Sequence, residues 1–356
     1  MRQKTFIIAE IGTAHQGNIK KAEKLIQAAT ECGADCAKFQ VVFADEIIHP
    51  LTGTVPLPGG ETPLYEVFRE LEQDLLFYKK LKTMTEKAGM TFMASPFGLK
   101  SAAILKEIGS KIYKIASPEL NHYPLLKEVS SYGEKIILST GVSTLGDIEE
   151  ALNITGRKNT AILHCITAYP APPEQYNLSL IPLYRQIFGV ETGISDHTTD
   201  PVLVPVISTA LGATIIEKHF TLSNTTEGLD DPIALNPKNF KLMVDKVRYA
   251  EESDSEEILN QLKSDYSSSL IEKIIGSGEK KLAPAEKENY GRTNRSLHAL
   301  VGISEGTILT KQNCALLRTE KILHPGLSPI HFELVLGKKV TRQISNGEGI
   351  MWHDLL

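Results

Sequence analysis

The chain has 356 residues, 42% hydrophobic and 23% charged, an ordinary balance for a soluble globular protein with room for a large α/β domain and a small one. A net charge of −5 gives no electrostatic footing for nucleic acid, and no apolar run approaches membrane-spanning length. The opening MRQKTFIIAEIG enters a strand at once without the plan of a signal peptide, and Cys32, Cys36, Cys165 and Cys314 form no CxxC pair. Reduced thiols in a cytoplasmic protein are expected.

Eight short apolar runs rich in β-branched residues follow in order: FIIAEIG (6–12), CAKFQVV (36–42), TFMASPF (91–97), IYKIAS (112–117), KIILSTG (135–141), AILHCIT (161–167), VETGISDH (190–197) and ATIIEKHF (213–220). Each suits a strand buried on both faces. Helical patterns lie between most of them, among them IKKAEKLIQAATECG, LLFYKKLKTMTEKAGM and LGDIEEALNIT, and Gly33 and Gly89 suit the ends of the first two. Alternating units over about 250 residues predict a (β/α)8 TIM barrel. The rival, an open doubly wound sheet, usually carries a glycine-rich phosphate turn after its first strand, and EIGTAHQG is not GxGxxG.

The insertion DEIIHPLTGTVPLPGGETPLYEVFRELEQD after the second strand is too long for an ordinary βα loop and too rich in Pro and Gly for a helix, so it reads as a lid or substrate wall. The barrel is expected to span 1–255. The charged stretch 256–290 reads as a helix and linker, and 291–356 as a small, mostly β domain of roughly 65 residues that must pack on its own barrel or a partner's.

The polar residues of the barrel strands gather at their C-terminal ends, where a barrel assembles its active site: Glu10, Lys38, Gln40, Ser95, Lys114, Ser117, Glu119, Ser139, Thr140, Thr167, Ser195, His197, Glu217 and His219. His197 and His219 end the last two strands beside acids and predict a shared divalent transition metal. The plainer reading is that each fills a strand-end hydrogen-bond position. Lys38 and Lys114 inside apolar runs call for an anionic partner. With hydroxyls at Ser117, Ser139, Thr167 and Ser195 they would cradle phosphate plus carboxylate, as in phosphoenolpyruvate. The metal would act as a Lewis acid on a carbonyl, while Glu10, Glu119 or Glu217 handled protons or water. Residue types alone leave aldol-like chemistry, hydrolysis and a non-catalytic binding role all open.

The motifs AEIGTAHQG, GADCAKFQ, ASPF, YKIASPE, ILSTG, LHCITAYPAP, GISDH and EKHF, in this order, resemble the sialic acid synthase family. The C-terminal region resembles that family's antifreeze-like SAF domain. The resemblance implies condensation of phosphoenolpyruvate with an N-acetylmannosamine-type sugar, giving a nonulosonic acid and phosphate with the help of a divalent metal, typically Mn2+, with Mg2+ or Co2+ as alternatives. It implies His197 and His219 as metal ligands. It implies Lys38, Lys114, Ser117, Ser139, Thr167 and Ser195 as the phosphoenolpyruvate pocket, and Glu10 and Glu217 as the acids near the reacting carbons. Tyr169 and Asp230 would stand near sugar and metal-bound water. Arg295, in NRSL, would reach the N-acetyl group across a domain-swapped homodimer. The chain departs from the family in having Ala14 where Asn is common and Thr167 where some members have Asn. It also has LLRTEK in place of an Arg-Pro after the central turn, which bears on Arg318. The EIG opening is more similar to the neuraminate and legionaminate branches than to the pseudaminate branch.

Overall fold

The computed structural model describes residues 4–57, 60–225 and 228–356. Among these, eight parallel strands close into the expected barrel: Phe6–Gly12, Cys36–Val41, Thr91–Pro96, Ile112–Ile115, Lys135–Ser139, Thr160–Cys165, Glu191–Asp196 and Ile215–His219. The first pairs with both the second and the eighth, bringing Glu10 level with Lys38 on one side and His219 on the other.

Strand periodicity sets the depth of each side chain. Ile8, Cys36, Met93, Ile137, Ala161, Leu163 and Ile215 fill the barrel interior as a dry plug. Their neighbours Ile7, Ala9, Ala37, Phe92, Ile136 and Ile216 face outward into the larger core beneath the helices. Two residues further along each strand, the inward position is polar: Glu10, Lys38, Ser95, Ser139, Cys165 and Glu217. At Gly193 the inner layer is so tight that a Cβ would lie 2.1 Å from the carbonyl oxygen of Ile215. Only glycine permits that approach of two strands.

Helices Ile19–Glu31, Leu75–Lys87 and Leu145–Thr155 stand where the spacing predicts them, with Asn18, Asp74 and Thr144 accepting from their first free N–H groups. Gly33 and Gly89 follow the first two in the left-handed region, at φ +86° and +82°.

Two expectations are corrected. The insertion does contain a helix, Leu64–Glu70, preceded by a hairpin of Thr54–Leu57 and Gly60–Pro63; Pro58 and Gly59 lie outside the described residues. The stretch read as a helix and linker holds two helices, Ser255–Asp265 and Ser268–Ile275. Ile258, Leu262, Ile271 and Ile274 belong to the barrel's outer core, so the first domain runs to about residue 275. Charged residues outnumber this apolar stripe in the sequence and mask it.

The small domain has its own core, built on Leu297, Ala299, Leu316, Leu327, Val335, Val340, Ile344 and Ile350. Among the described residues its regular sheet is a single antiparallel pair, Arg295–Ala299 with Cys314–Arg318, and isolated bridges and turns supply the rest. In the single chain it docks on its own barrel. The Asn121 side chain brackets the Arg295 backbone with two bonds of 3.0 Å. Thr52 Oγ1 donates to the Thr319 carbonyl at 2.8 Å, and His49 meets Asn346 at 2.9 Å. The insertion is therefore a seat for the second domain as well as a wall of the cavity described next.

Candidate active site

The C-terminal ends of the strands enclose a cavity of about 220 Å3. Glu10, Lys38, Lys114, Ser117, Ser139, Thr167, Tyr169, Ser195, His197, Glu217, His219 and Asp230 all line it. At its floor Lys38 Nζ lies 2.7 Å from Glu10 Oε2, 3.7 Å from Glu217 Oε1 and 3.3 Å from Ser95 Oγ. Lys114 Nζ donates to Ser139 Oγ at 2.5 Å and stands 3.6 Å from Glu217 Oε1, which also accepts from Ser195 Oγ at 3.1 Å. Gln40 Nε2 donates to Glu10 Oε1 at 2.8 Å.

The two lysines are not equivalent. Burial disfavours the Lys38 ammonium, but Glu10 and Glu217 outweigh it and hold its pKa above the ordinary lysine value. Burial wins at Lys114, whose pKa is pulled down despite Glu217, with Lys38 opposing its charge. Burial alone would raise Glu217; Lys114 and Lys38, aided by His219 and Ser195, hold its carboxyl below the usual range. Lys114 is thus a buried ammonium whose nearest partner is a neutral hydroxyl, a receptor short of an anion. Thr167 Oγ1 and Glu217 Oε2 are buried without a hydrogen-bond partner, so both are open to a bound molecule.

Above this layer the rings of His197 and His219 stand 5.4 Å apart, and Tyr169 stacks on His197 at 4.2 Å. Burial lowers both histidines, so both imidazoles are neutral. His197 Nδ1 lies 2.7 Å from the Ile166 carbonyl, which assigns the proton to Nδ1 and leaves the lone pair on Nε2, with the Cys165 thiol at 3.9 Å. Asp230 Oδ2 lies 3.5 Å from His219 Nδ1. Among the described residues no set of three or more His, Cys, Asp and Glu side chains converges as a closed metal site. Two neutral imidazoles with room left for other donors fit an open site, which keeps coordination positions for substrate or water.

Behind the histidines, Lys218 and Asp196 form a buried pair at 2.5 Å, and Lys218 also donates to the Thr198 carbonyl. This ties together the strand ends that carry His197 and His219. Lys218→Met leaves Asp196 buried without its partner and is expected to cost about 3–5 kcal/mol, read as a lower denaturation midpoint.

Two expected site residues are elsewhere. Glu119 is wholly buried beneath the cavity wall, where its Oε1 accepts from Arg295 Nη2 at 2.8 Å and from Arg318 Nε and Nη2 at 2.9 and 2.7 Å. It does not line the cavity, and its Oε2 is buried without a hydrogen-bond partner. Arg295 is 2% exposed; its Nη1 donates to the carbonyls of Glu46, Ile47 and Leu316 and its Nη2 to that of Phe97, all of its own chain, while its Nε is buried without a partner. In the single chain it pins the small domain to the barrel and does not line that chain's own cavity. Arg318, its register partner across the hairpin, is the arginine that lines the cavity, with its guanidinium 5.4 Å over the Phe97 ring. Thr13, Phe68, Leu71, Cys165, Leu229 and Thr293 also line the cavity and were missed in the sequence. A polar strand end signals itself, whereas an apolar wall residue looks like core.

The NeuB family profile matches residues 25–258 and the SAF domain profile residues 294–356. The chain belongs to the NeuB family. It is 34% identical to the N,N'-diacetyllegionaminic acid synthase of Campylobacter jejuni, over 97% of this chain and 98% of that one. It is 31% identical to the human N-acetylneuraminate-9-phosphate synthase, over 97% of this chain and 91% of the relative. Its structure matches the spore coat polysaccharide biosynthesis protein SpsE of Bacillus subtilis with a TM-score of 0.83 at 34% identity, covering 99% and 95% of the two chains. As a NeuB-family chain it keeps the expected barrel and SAF domain. Among its described residues no helix is long and apolar enough to cross a membrane.

Proposed function

We propose that the protein is a nonulosonic acid synthase that condenses phosphoenolpyruvate with an N-acetylmannosamine-type sugar and releases phosphate. The observation that carries this reading is the buried pair Lys38 and Lys114, with Glu217 between them, under two neutral histidines in one cavity. The lysines and the hydroxyls of Ser117, Ser139, Thr167 and Ser195 hold the phosphate and carboxylate of phosphoenolpyruvate. That leaves its C3 facing the histidine end. His197, through Nε2, and His219 would hold a divalent metal, Mn2+ by resemblance, which would polarise the aldehyde of the open-chain sugar. Attack by C3 on that aldehyde carbon makes the new C–C bond and leaves C2 electron-poor. Water adds at C2, giving its proton to Glu217, whose Oε2 is unpartnered and which can pass it to the alkoxide formed from the aldehyde. The C2–O bond to phosphate then breaks as the C2 hydroxyl gives its proton to the leaving phosphate and becomes the ketone. Tyr169, Asp230 and Arg318 stand at the sugar end.

A phosphate-release assay over a panel of N-acetylated hexosamines, including 2,4-diacetamido sugars, tests the reading and selects the acceptor. Release is expected only when phosphoenolpyruvate and one amino sugar are both present. Turnover without phosphoenolpyruvate would make the protein an aldolase or hydrolase. No turnover with any member of the panel would leave a glycan-binding role.

A further inference from the structure

Val142, a buried β-branched residue just past the fifth strand, has φ +41°. Side chains branched at Cβ rarely tolerate this left-handed region, so surrounding contacts must impose the conformation. Those contacts come from the far side of the chain. Glu286, 1% exposed and on the tether between the domains, accepts from the Val142 N–H at 2.7 Å. Asn294, at the threshold of the small domain, donates to the Val142 carbonyl at 3.1 Å. Both backbone polar groups of the strained residue are thus held from outside the barrel.

The same carboxylate oxygen reaches the phosphate end of the cavity. Glu286 Oε1 also accepts from the Thr167 N–H at 2.8 Å, while Oε2 accepts from Ala283 N at 3.2 Å. Next to Val142, Gly141 donates to Ser117 Oγ at 3.0 Å. A Cβ on Gly141 would lie 2.2 Å from Thr167 Oγ1, 2.9 Å from Ser117 Oγ and 3.2 Å from Glu286 Oε1, so these groups are packed around a glycine that nothing larger replaces. Ser139, which receives Lys114, ends the strand that runs into this turn.

We propose that Glu286 and Asn294 are positioning residues for the anion end of the cavity. They clamp Val142 in its left-handed conformation, and with it the hydroxyls of Ser117, Ser139 and Thr167. The tether and the small domain thereby set the shape of the phosphate cradle without touching substrate. The inference rests on the reading of the cavity as a phosphoenolpyruvate site, so its test carries a second readout that does not.

Glu286→Ala strips the acceptor from three buried amides, those of Val142, Thr167 and Ala283. It is expected to raise the KM for phosphoenolpyruvate roughly 5- to 150-fold and to leave that for the amino sugar at its wild-type value. Hydrogen exchange at the amides of Val142 and Thr167 should quicken. Glu286→Gln keeps the acceptor oxygen that serves Val142 and Thr167 and gives up only the one that serves Ala283, so the KM for phosphoenolpyruvate should stay near wild type. The decisive variant is Glu286→Ala combined with Val142→Gly. Glycine needs no clamp at positive φ, so this pair should recover phosphoenolpyruvate affinity although it deletes a further buried side chain. A merely structural Glu286 predicts the opposite, a worse protein. Should Glu286→Ala fail to fold, Asn294→Ala loosens the same residue from its carbonyl side. Unchanged exchange at Val142 in these variants, or both KM values rising together without recovery by Val142→Gly, overturns the clamp. A wild type that does not consume phosphoenolpyruvate counts against the proposed function alone, and exchange then decides the clamp.

Discussion

His219→Ala is expected to cut phosphate release by at least about 100-fold, because even partners outside a ligand set cost 10- to 100-fold when removed. His219 ends the eighth strand at the same height as His197, with Asp230 3.5 Å from its Nδ1 and the Tyr169 ring edge-on at 5.9 Å. Burial keeps it neutral, the form that binds a metal. Chelation should abolish wild-type activity, and Mn2+ should restore it far better in the wild type than in the variant. Titration of Mn2+ into each protein should show the same loss as weaker binding, which separates a ligand from a residue that merely shapes the cavity. Full activity in thoroughly metal-stripped protein would end the assignment.

Lys114→Ala should raise the KM for phosphoenolpyruvate by a factor equivalent to about 2–5 kcal/mol, roughly 30- to 5,000-fold, well before that for the amino sugar. Lys114 is 2% exposed, bonded to the Ser139 hydroxyl and 3.6 Å from Glu217, so its charge waits for a further anion. Lys38 differs. Glu10 at 2.7 Å and Glu217 at 3.7 Å already balance it, and its removal leaves two buried carboxylates exposed to one another. Lys38→Ala should therefore damage stability along with binding, whereas Lys114→Ala damages binding first. Separate KM measurements and a denaturant titration on each variant decide this. A Lys114→Ala protein whose sugar KM rises first would mean the cavity is read inside out.

Much of this site was legible as sequence because strand periodicity is a physical rule. A lysine or glutamate two residues beyond an apolar inward position must face the barrel axis at the next layer up. That places Glu10 above Ile8, Lys38 above Cys36 and Glu217 above Ile215 without any coordinates. The eight strands were equally plain, since a strand buried on both faces has to be a short run of apolar and β-branched residues.

What the sequence could not give was the partner of each charge on the second domain. Arg295 and Arg318 are both arginines on short strands, and only the family resemblance favoured the first as the sugar contact. The hairpin register puts both on the single carboxylate of Glu119, and only the docked position decides that Arg295 is buried by Glu46, Ile47 and Phe97 while Arg318 keeps a face to the cavity. The bond from Glu286 to Val142 spans 144 residues and leaves no periodic trace in either segment. Local propensity and alternation fix which residues form a strand and which way each points. Contacts between distant segments are chosen by how the folded surfaces meet, so tertiary structure alone assigns Glu119, Arg295 and Glu286 their partners.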